Sequence, residues 1–401
     1  MPILCQFKEV CLFLPPMVVE FLNRFTEVVL AKCESFVRLK RWKLILSLLL
    51  PVSVMFFSFP SYERIGKEYR GYWEAVNEKS QSPFSEKEYA PESHEAKLTF
   101  RLTVPILAGI LGLKTTGILI LQAFFGFLLF LVSAYLFEKI TEDPVSALLL
   151  TLSLSFIWAG RCAFVELRGI FDAVALFFLV FSMCFRNPLL IFSGVFMAAW
   201  TDERGLIASS LVLIFWWFSS GFTIKNLINR QTTAVVMAWV GYFAVRYLLI
   251  HTYHFKTVVG NNLGVNCFIS QMSNLPGGTW TALEGNWILV ILALWILIKS
   301  KAWFPALALK LSVVLLIVVA MAVIDITRSM AFILPALFIA IFVIRKLGNE
   351  SLLTLRKTIL LSATISFLYP AYYINGPFQT LWTYPFPLYI LRHLFGTGGH
   401  A

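Results

Sequence analysis

Long apolar runs separated by short polar or charged turns recur along the whole chain. With a window of about 19 residues, runs at 44–60, 117–137, 144–160, 170–185, 188–200, 205–219, 232–250, 286–298, 303–324, 329–344 and 357–374 predict helices that cross a membrane. The fold class this gives is all-α, a polytopic transmembrane helix bundle of about 11 spans. Residues 1–43 form a cytoplasmic or interfacial segment ahead of it, because 10–31 carries Glu20, Arg24 and Glu27 at helical spacing on one face, as an amphipathic helix lying in the interface does. Residues 44–401 form a single transmembrane domain, with an apolar stretch after Tyr384.

The loop at 61–100 is too long and too patterned for a linker. In EYRGYWEAV, Tyr69, Tyr72, Trp73 and Val76 fall on one helical stripe opposite Arg70, Glu74 and Asn77. That pattern predicts a helix lying flat on the membrane with its rings at headgroup level. After SQSPF, the run SHEAKLTFRLTVPILAGILGLK predicts a second short interfacial helix before Lys114.

Composition agrees with the pattern. Apolar residues are 59% of the chain and charged residues 14%, against about 45–50% and 25% in soluble domains, so a water-exposed surface cannot be built all round. The net charge of +11 comes from Lys and Arg at the ends of apolar runs. It therefore reads as topology rather than nucleic-acid binding. The run RLKRWK puts the N-terminus in the cytoplasm. If 188–200 and 205–219 form a hairpin, Lys225, Arg230, Lys299, Lys301, Arg345, Lys346, Arg356 and Lys357 share that side, as the positive-inside rule prefers. The outer face then holds 61–100, RCAFVELRGIFD, TDERG, the loop from His251 to Asn286 and DITRS.

Most of the unusual polar clusters fall on that face. Asp202, Glu203 and Arg204 sit at a hairpin tip, where a carboxylate can act as general base and Arg204 can hold an anion; the alternative is a solvated turn. Asp325 and Arg328, at i and i+3, either hold a phosphate or cap two helices. Arg101, Arg161 and Arg168, the last two beside Glu166, suit a phosphate headgroup or serve as interfacial anchors. His251 and His254 can donate to a phosphate. Trp280 and Trp287 in NLPGGTWTALEGNW offer flat faces for a sugar ring. Glu63, Glu68 and Glu74 are the loop-one acids nearest the first span and aromatic helix, and Glu63 or Glu68 is a further candidate base. Among the six cysteines there is no CxxC and no histidine at zinc spacing, so no metal or cofactor is expected. Cys162 and Cys267 are the cysteines placed near the oxidising side, either as a disulfide or as free thiols.

A first span, a long outer loop with flat helices, the segment FRLTVPILAGILGL and a bundle with charged outer turns together resemble the GT-C superfamily of integral-membrane glycosyltransferases. The resemblance implies a multi-pass protein of the bacterial inner membrane, active at the extracytoplasmic face. It would transfer a sugar from a polyprenyl-phosphate carrier to an acceptor glycan or lipid, with the bilayer as partner and no nucleic acid. It also implies an acidic catalytic residue in the first outer loop, which here has eight Glu and no Asp. The rival reading is a transporter or flippase for a lipid-linked or anionic substrate, which should show polar groups deep within spans and an internal repeat. Arg246 and Lys310 are the main mid-span charges in the sequence.

Overall fold

The computed structural model describes residues 16–85, 98–256, 264–348, 350–369, 372–375, 378–381, 390–391 and 393–394. The loop-one acids Glu86, Glu88, Glu92 and Glu95, along with Cys5, Cys11 and most of the stretch after Tyr384, lie outside these residues, as does the start of the 10–31 segment. The regular structure of the described residues is helical apart from one short antiparallel hairpin. Its helices are α1 Pro16–Val37, α2 Trp42–Phe57, α3 Arg70–Gln81, α4 Thr103–Ile110, α5 Thr115–Thr141, α6 Pro144–Leu154, α7 Trp158–Val165, α8 Asp172–Cys184 and α9 Pro188–Thr201. They continue with α10 Glu203–Ser220, α11 Arg230–Thr252, α12 Val265–Ser270, α13 Leu275–Leu283, α14 Trp287–Lys299, α15 Trp303–Met321, α16 Ile326–Met330, α17 Pro335–Leu347 and α18 Leu352–Leu368. Strands β1 Tyr372–Asn375 and β2 Phe378–Leu381 follow.

The breaks between helices are written in capping residues. Asp143 precedes Pro144 and accepts from the Ser146 amide at 2.9 Å; Asn187 precedes Pro188 and accepts from the Leu189 amide. Both pairings satisfy a first-turn donor and use a proline whose missing N–H is harmless there. Asn229 and Thr232 close a capping box at the start of α11.

Among the described residues, five helical segments are long and apolar enough to cross a membrane: Thr115–Thr141, Arg230–Thr252, Met272–Lys299, Trp303–Met321 and Ile326–Leu347. A sixth is added if α6 and α7, bent by 56° at the break between them, count as one span. Gly160 permits that bend, since a Cβ there would lie 2.0 Å from the Leu154 carbonyl oxygen. Helices also stand at the other runs, but α2, α8 and α9 are shorter, with 16, 13 and 14 residues. A 13-residue helix rises only about 20 Å, against an apolar core of about 30 Å.

Helix α17 is the centre of the bundle, with Leu334 through Ile341 wholly buried, as expected of a helix apolar all round. Val236, Val240, Phe243 and Tyr247 on α11, and Leu307, Leu311, Val314 and Val318 on α15, point outward. Such continuous apolar faces fit contact with lipid. Helices α9 and α10 form a hairpin. Gln231 donates to the Arg186 carbonyl while Asn226 and Asn229 donate to Ser220, so the start of α9 and the end of α10 lie at the same end of the bundle.

Loop one departs from its expected form. The stripe on α3 does not face the headgroups: Trp73 and Val76 are buried, Trp73 Nε1 donates to the Leu167 carbonyl at 2.8 Å, and the Trp73 ring packs edge-on against Phe171. An aromatic stripe fits a protein groove as well as a bilayer surface, and here the 167–171 turn supplies the groove. Helix α1 is exposed along its first half but docks at its end, where Glu34 pairs with Arg356 at 2.8 Å and Leu30 and Cys33 are buried. Cys162 and Cys267 are free thiols, so no disulfide joins the outer loops at those positions.

Candidate functional site

Five arginines and five carboxylates from separate segments meet at one end of the bundle. The innermost is Asp172, the first residue of α8, whose side chain is 1% exposed. Its oxygens accept from Arg204 Nη2 at 3.0 Å, Arg328 Nε at 2.7 Å and Arg328 Nη2 at 3.2 Å. Asp172 thus ties α8 to the starts of α10 and α16. Arg204 also donates to Ser329 Oγ at 2.7 Å, and Arg328 to Asp325 at 2.5 Å.

Asp202 closes α9 and caps α10, accepting from the Arg204 amide at 3.0 Å. Its carboxylate also takes Arg204 Nε and Nη2, each at 2.7 Å, and Arg101 Nη2 at 2.8 Å. Burial opposes its charge, but Arg101 and Arg204 outweigh burial and hold the carboxyl well below the usual range. A carboxylate so saturated and so acidic is a poor proton acceptor near neutrality. On the other flank, Glu166 holds Arg168 through two bonds of 2.8 and 2.5 Å, and Arg168 donates to the Tyr373 hydroxyl at 2.9 Å. That hydroxyl lies 3.3 Å from Asp325, and Thr327 accepts the Ile374 amide at 2.9 Å. The β-hairpin is thereby sewn into the network.

The rim differs from this interior. The Glu203 side chain is 42% exposed, 3.8 Å from Arg101 Nε and 3.7 Å from Arg246 Nη1, too far for strong hydrogen bonds. Arg101 Nε is buried and has no hydrogen-bond partner among the described residues. Arg246 donates to the Tyr242 hydroxyl at 2.6 Å and lies over the Phe100 ring at 3.9 Å. Arg101, Arg168, Arg204, Arg246 and Arg328 balance Glu166, Asp172, Asp202, Glu203 and Asp325 in formal charge. Spare hydrogen-bonding capacity is found at the rim.

Of the residues chosen from sequence, Asp202, Glu203, Arg204, Asp325, Arg328, Arg101 and Arg168 come together here. Arg328 is 4% exposed and committed to two aspartates, so its fork is not open to a phosphate. Glu63 and Glu68 stand apart: both are exposed, Glu68 bonded to Arg64 at 2.9 Å and Glu63 lying 3.9 Å from Lys67. These are pairs of a solvated turn. His251 and His254 are exposed and make none of the network's hydrogen bonds or ion pairs, the His251 ring resting on Tyr247 at 4.1 Å. Trp280 meets Tyr369 edge-on, and Arg161 donates to the Ser155 carbonyl, both outside the network.

Asp172 and Tyr373 are the members that the sequence reading did not single out. Asp172 opens the apolar run DAVALFFLVF, so it reads as the edge of a span. An acid in the first turn of a short apolar helix was the available signal. Tyr373 carried no signal, because its role depends on the hairpin's return to α16. No protein-family model matches the chain, and neither a curated protein nor a solved structure is found to be similar to it.

Proposed function

We propose that the chain is a multi-pass membrane glycosyltransferase that moves a sugar from a polyprenyl-phosphate carrier to an acceptor hydroxyl at the extracytoplasmic face of the inner membrane. In this reading the bundle crosses the membrane eleven times, the short middle helices lying where the protein fills the apolar layer itself. The observation that carries the proposal is the rim, where a half-exposed carboxylate, Glu203, stands beside two arginines, one with a buried, unpartnered N–H. Transfer needs a base for the acceptor proton and positive charge for the departing phosphate. Glu203 takes the proton as the acceptor oxygen bonds to the anomeric carbon. The carbon–oxygen bond to phosphate breaks, and Arg101 and Arg246 receive the polyprenyl phosphate. Asp202, Asp172, Arg204 and Arg328 hold this rim in place.

The test is sugar transfer by purified protein from a set of polyprenyl-phosphate sugars to a lipid or glycan acceptor. Glu203→Gln keeps the shape but cannot take a proton, so transfer should fall by about 10²-fold or more while carrier binding persists. Full transfer in that variant rejects Glu203 as base. A carrier-binding wild type that transfers nothing but moves the lipid across vesicles supports the transporter reading instead. That reading gains from Asp172 and Glu284, ionisable groups buried deeper than the sequence suggested.

A further inference from the structure

Outside the network, one more acid, Glu284, is buried and left incompletely partnered, with the half-buried Arg161 near it. Arg161 lies on α7, and Glu284 lies at the break where α13 turns through the short 3₁₀ segment Glu284–Asn286 into α14; α7 and α13 pack together. The two side chains are near enough to influence each other electrostatically, yet no ion pair joins them among the described residues. Glu284 is 4% exposed and its Oε2 has no hydrogen-bond partner among the described residues. Its backbone stands at φ +50° and ψ −128°, a conformation that L residues rarely adopt. Strain held together with a buried, unpartnered carboxyl oxygen marks a residue kept in place for a ligand, since either alone opposes folding.

The neighbouring atoms state what kind of ligand. The Glu284 amide donates to the Trp280 carbonyl, so the two side chains are one turn apart. Trp280 Nε1 and Asn286 Nδ2 are buried donors without partners among the described residues, while Asn286 Oδ1 is already held by Ser153 and Ser362. One orphan acceptor, two orphan donors, an arginine and an indole ring suit a group whose hydroxyls both donate and accept and whose C–H face stacks on an aromatic ring. That is a sugar ring. Trp158, one turn before Arg161, packs on Tyr373, whose hydroxyl belongs to the network. These residues therefore lie next to the charged network rather than remote from it.

We propose that Arg161, Glu284, Trp280 and Asn286 form the site that recognises the sugar of the lipid-linked donor, an assignment that rests on the glycosyltransferase reading. The test is equilibrium binding of the full chain to farnesyl phosphate and to farnesyl phosphate esterified with glucose, galactose, mannose or arabinose. Wild type should prefer at least one sugar ester by about tenfold over the bare lipid. Glu284→Gln, isosteric with the native side chain, and Trp280→Phe should remove that preference while leaving affinity for bare farnesyl phosphate within about twofold, which also reports folding. A preference that survives in Glu284→Gln, or a wild type that binds the bare lipid with no preference, overturns the sugar site alone. A wild type that binds no farnesyl phosphate of any kind overturns the glycosyltransferase reading as well.

Discussion

Asp172 illustrates how one side chain can govern a buried site without being its reactive group. It bridges Arg204 and Arg328, a carboxylate shared between two largely buried guanidiniums that Asp202 and Asp325 hold on their other sides. Breaking a buried ion network from one side costs about 3–5 kcal/mol, because the remaining charge is left desolvated. Asp172→Asn should therefore lower stability by that amount, read as a fall in thermal midpoint in detergent, and should loosen α8 from the starts of α10 and α16. A change of under about 1 kcal/mol would mean that water or Asp202 takes over the pairing. Asp202→Asn leaves Arg204 on Asp172 but leaves Arg101 facing Glu203 at 3.8 Å, so its effect should be of similar size. Much of this chemistry was legible as residue type: the arginines and acids of TDERG, DITRS and VELR stand out in an apolar chain. Which of them would be saturated and which left open was not, because Arg328 and Asp172 are 156 positions apart and meet only through packing.

Among the helices, α3 is the piece whose sequence pattern was read correctly and whose partner was not. The period of Tyr69, Trp73 and Val76 gives a helix whether its apolar face meets lipid or protein, and only the Leu167 carbonyl and the Phe171 ring decide between them. Trp73→Phe keeps the ring but loses the indole donor, so the docking of α3 should weaken by about 1 kcal/mol. Faster protease cutting within 61–100 measures it, and an unchanged cutting rate would show that the hydrogen bond is replaced by water. Lys79, on the same helix, is 5% exposed with its ammonium 4.4 Å from the Phe255 ring, and burial lowers its pKa to about 8. The freed loop holds that proton up to the ordinary value of about 10.4. Folding thus favours the neutral amine, and the stability of the docked helix should rise with pH between about 8 and 10.4. Protection of 61–100 from proteolysis should be greater at the top of that window than at its foot. Lys79→Met should be well protected throughout, and a pH dependence that persists in that variant would assign it to another group.

At the scale of the whole molecule, contacts sort the chain into two ends. At one end lie the ten charged groups of the network and, through Trp73, the loop-one helix. At the other, Arg356 joins Asp143 at 2.6 Å and Glu34 at 2.8 Å, Arg345 donates to the Thr141 carbonyl, Lys43 pairs with Glu138, and Gln231 reaches Arg186. Two of the basic residues that argued for a cytoplasmic face, Arg345 and Arg356, fall at this second end. The lengths of the middle helices were visible in the sequence; the packing of α8 against α5 and α9, and of α9 against α11, was not, since in the eleven-span reading helices of 13 and 14 residues cross an apolar layer only where protein neighbours shield their ends. An eleven-span topology then requires Ser85 and Ser273 to face outward and Ser300 and Ser351 to face the cytoplasm. All four are exposed, so single cysteines introduced there will react wherever a reagent can reach them. In intact cells a membrane-impermeant maleimide should label the first two and spare the second two until the membrane is opened. If Ser85 and Ser273 give opposite results, an odd number of the helices between them must be re-entrant, and α8, α9 and the α6–α7 pair are where the count would change. If both are protected and both cytoplasmic positions label, the bundle is inverted and the rim around Glu203 faces the cytoplasm, where a nucleotide-linked donor rather than a polyprenyl-linked one would have to supply the sugar.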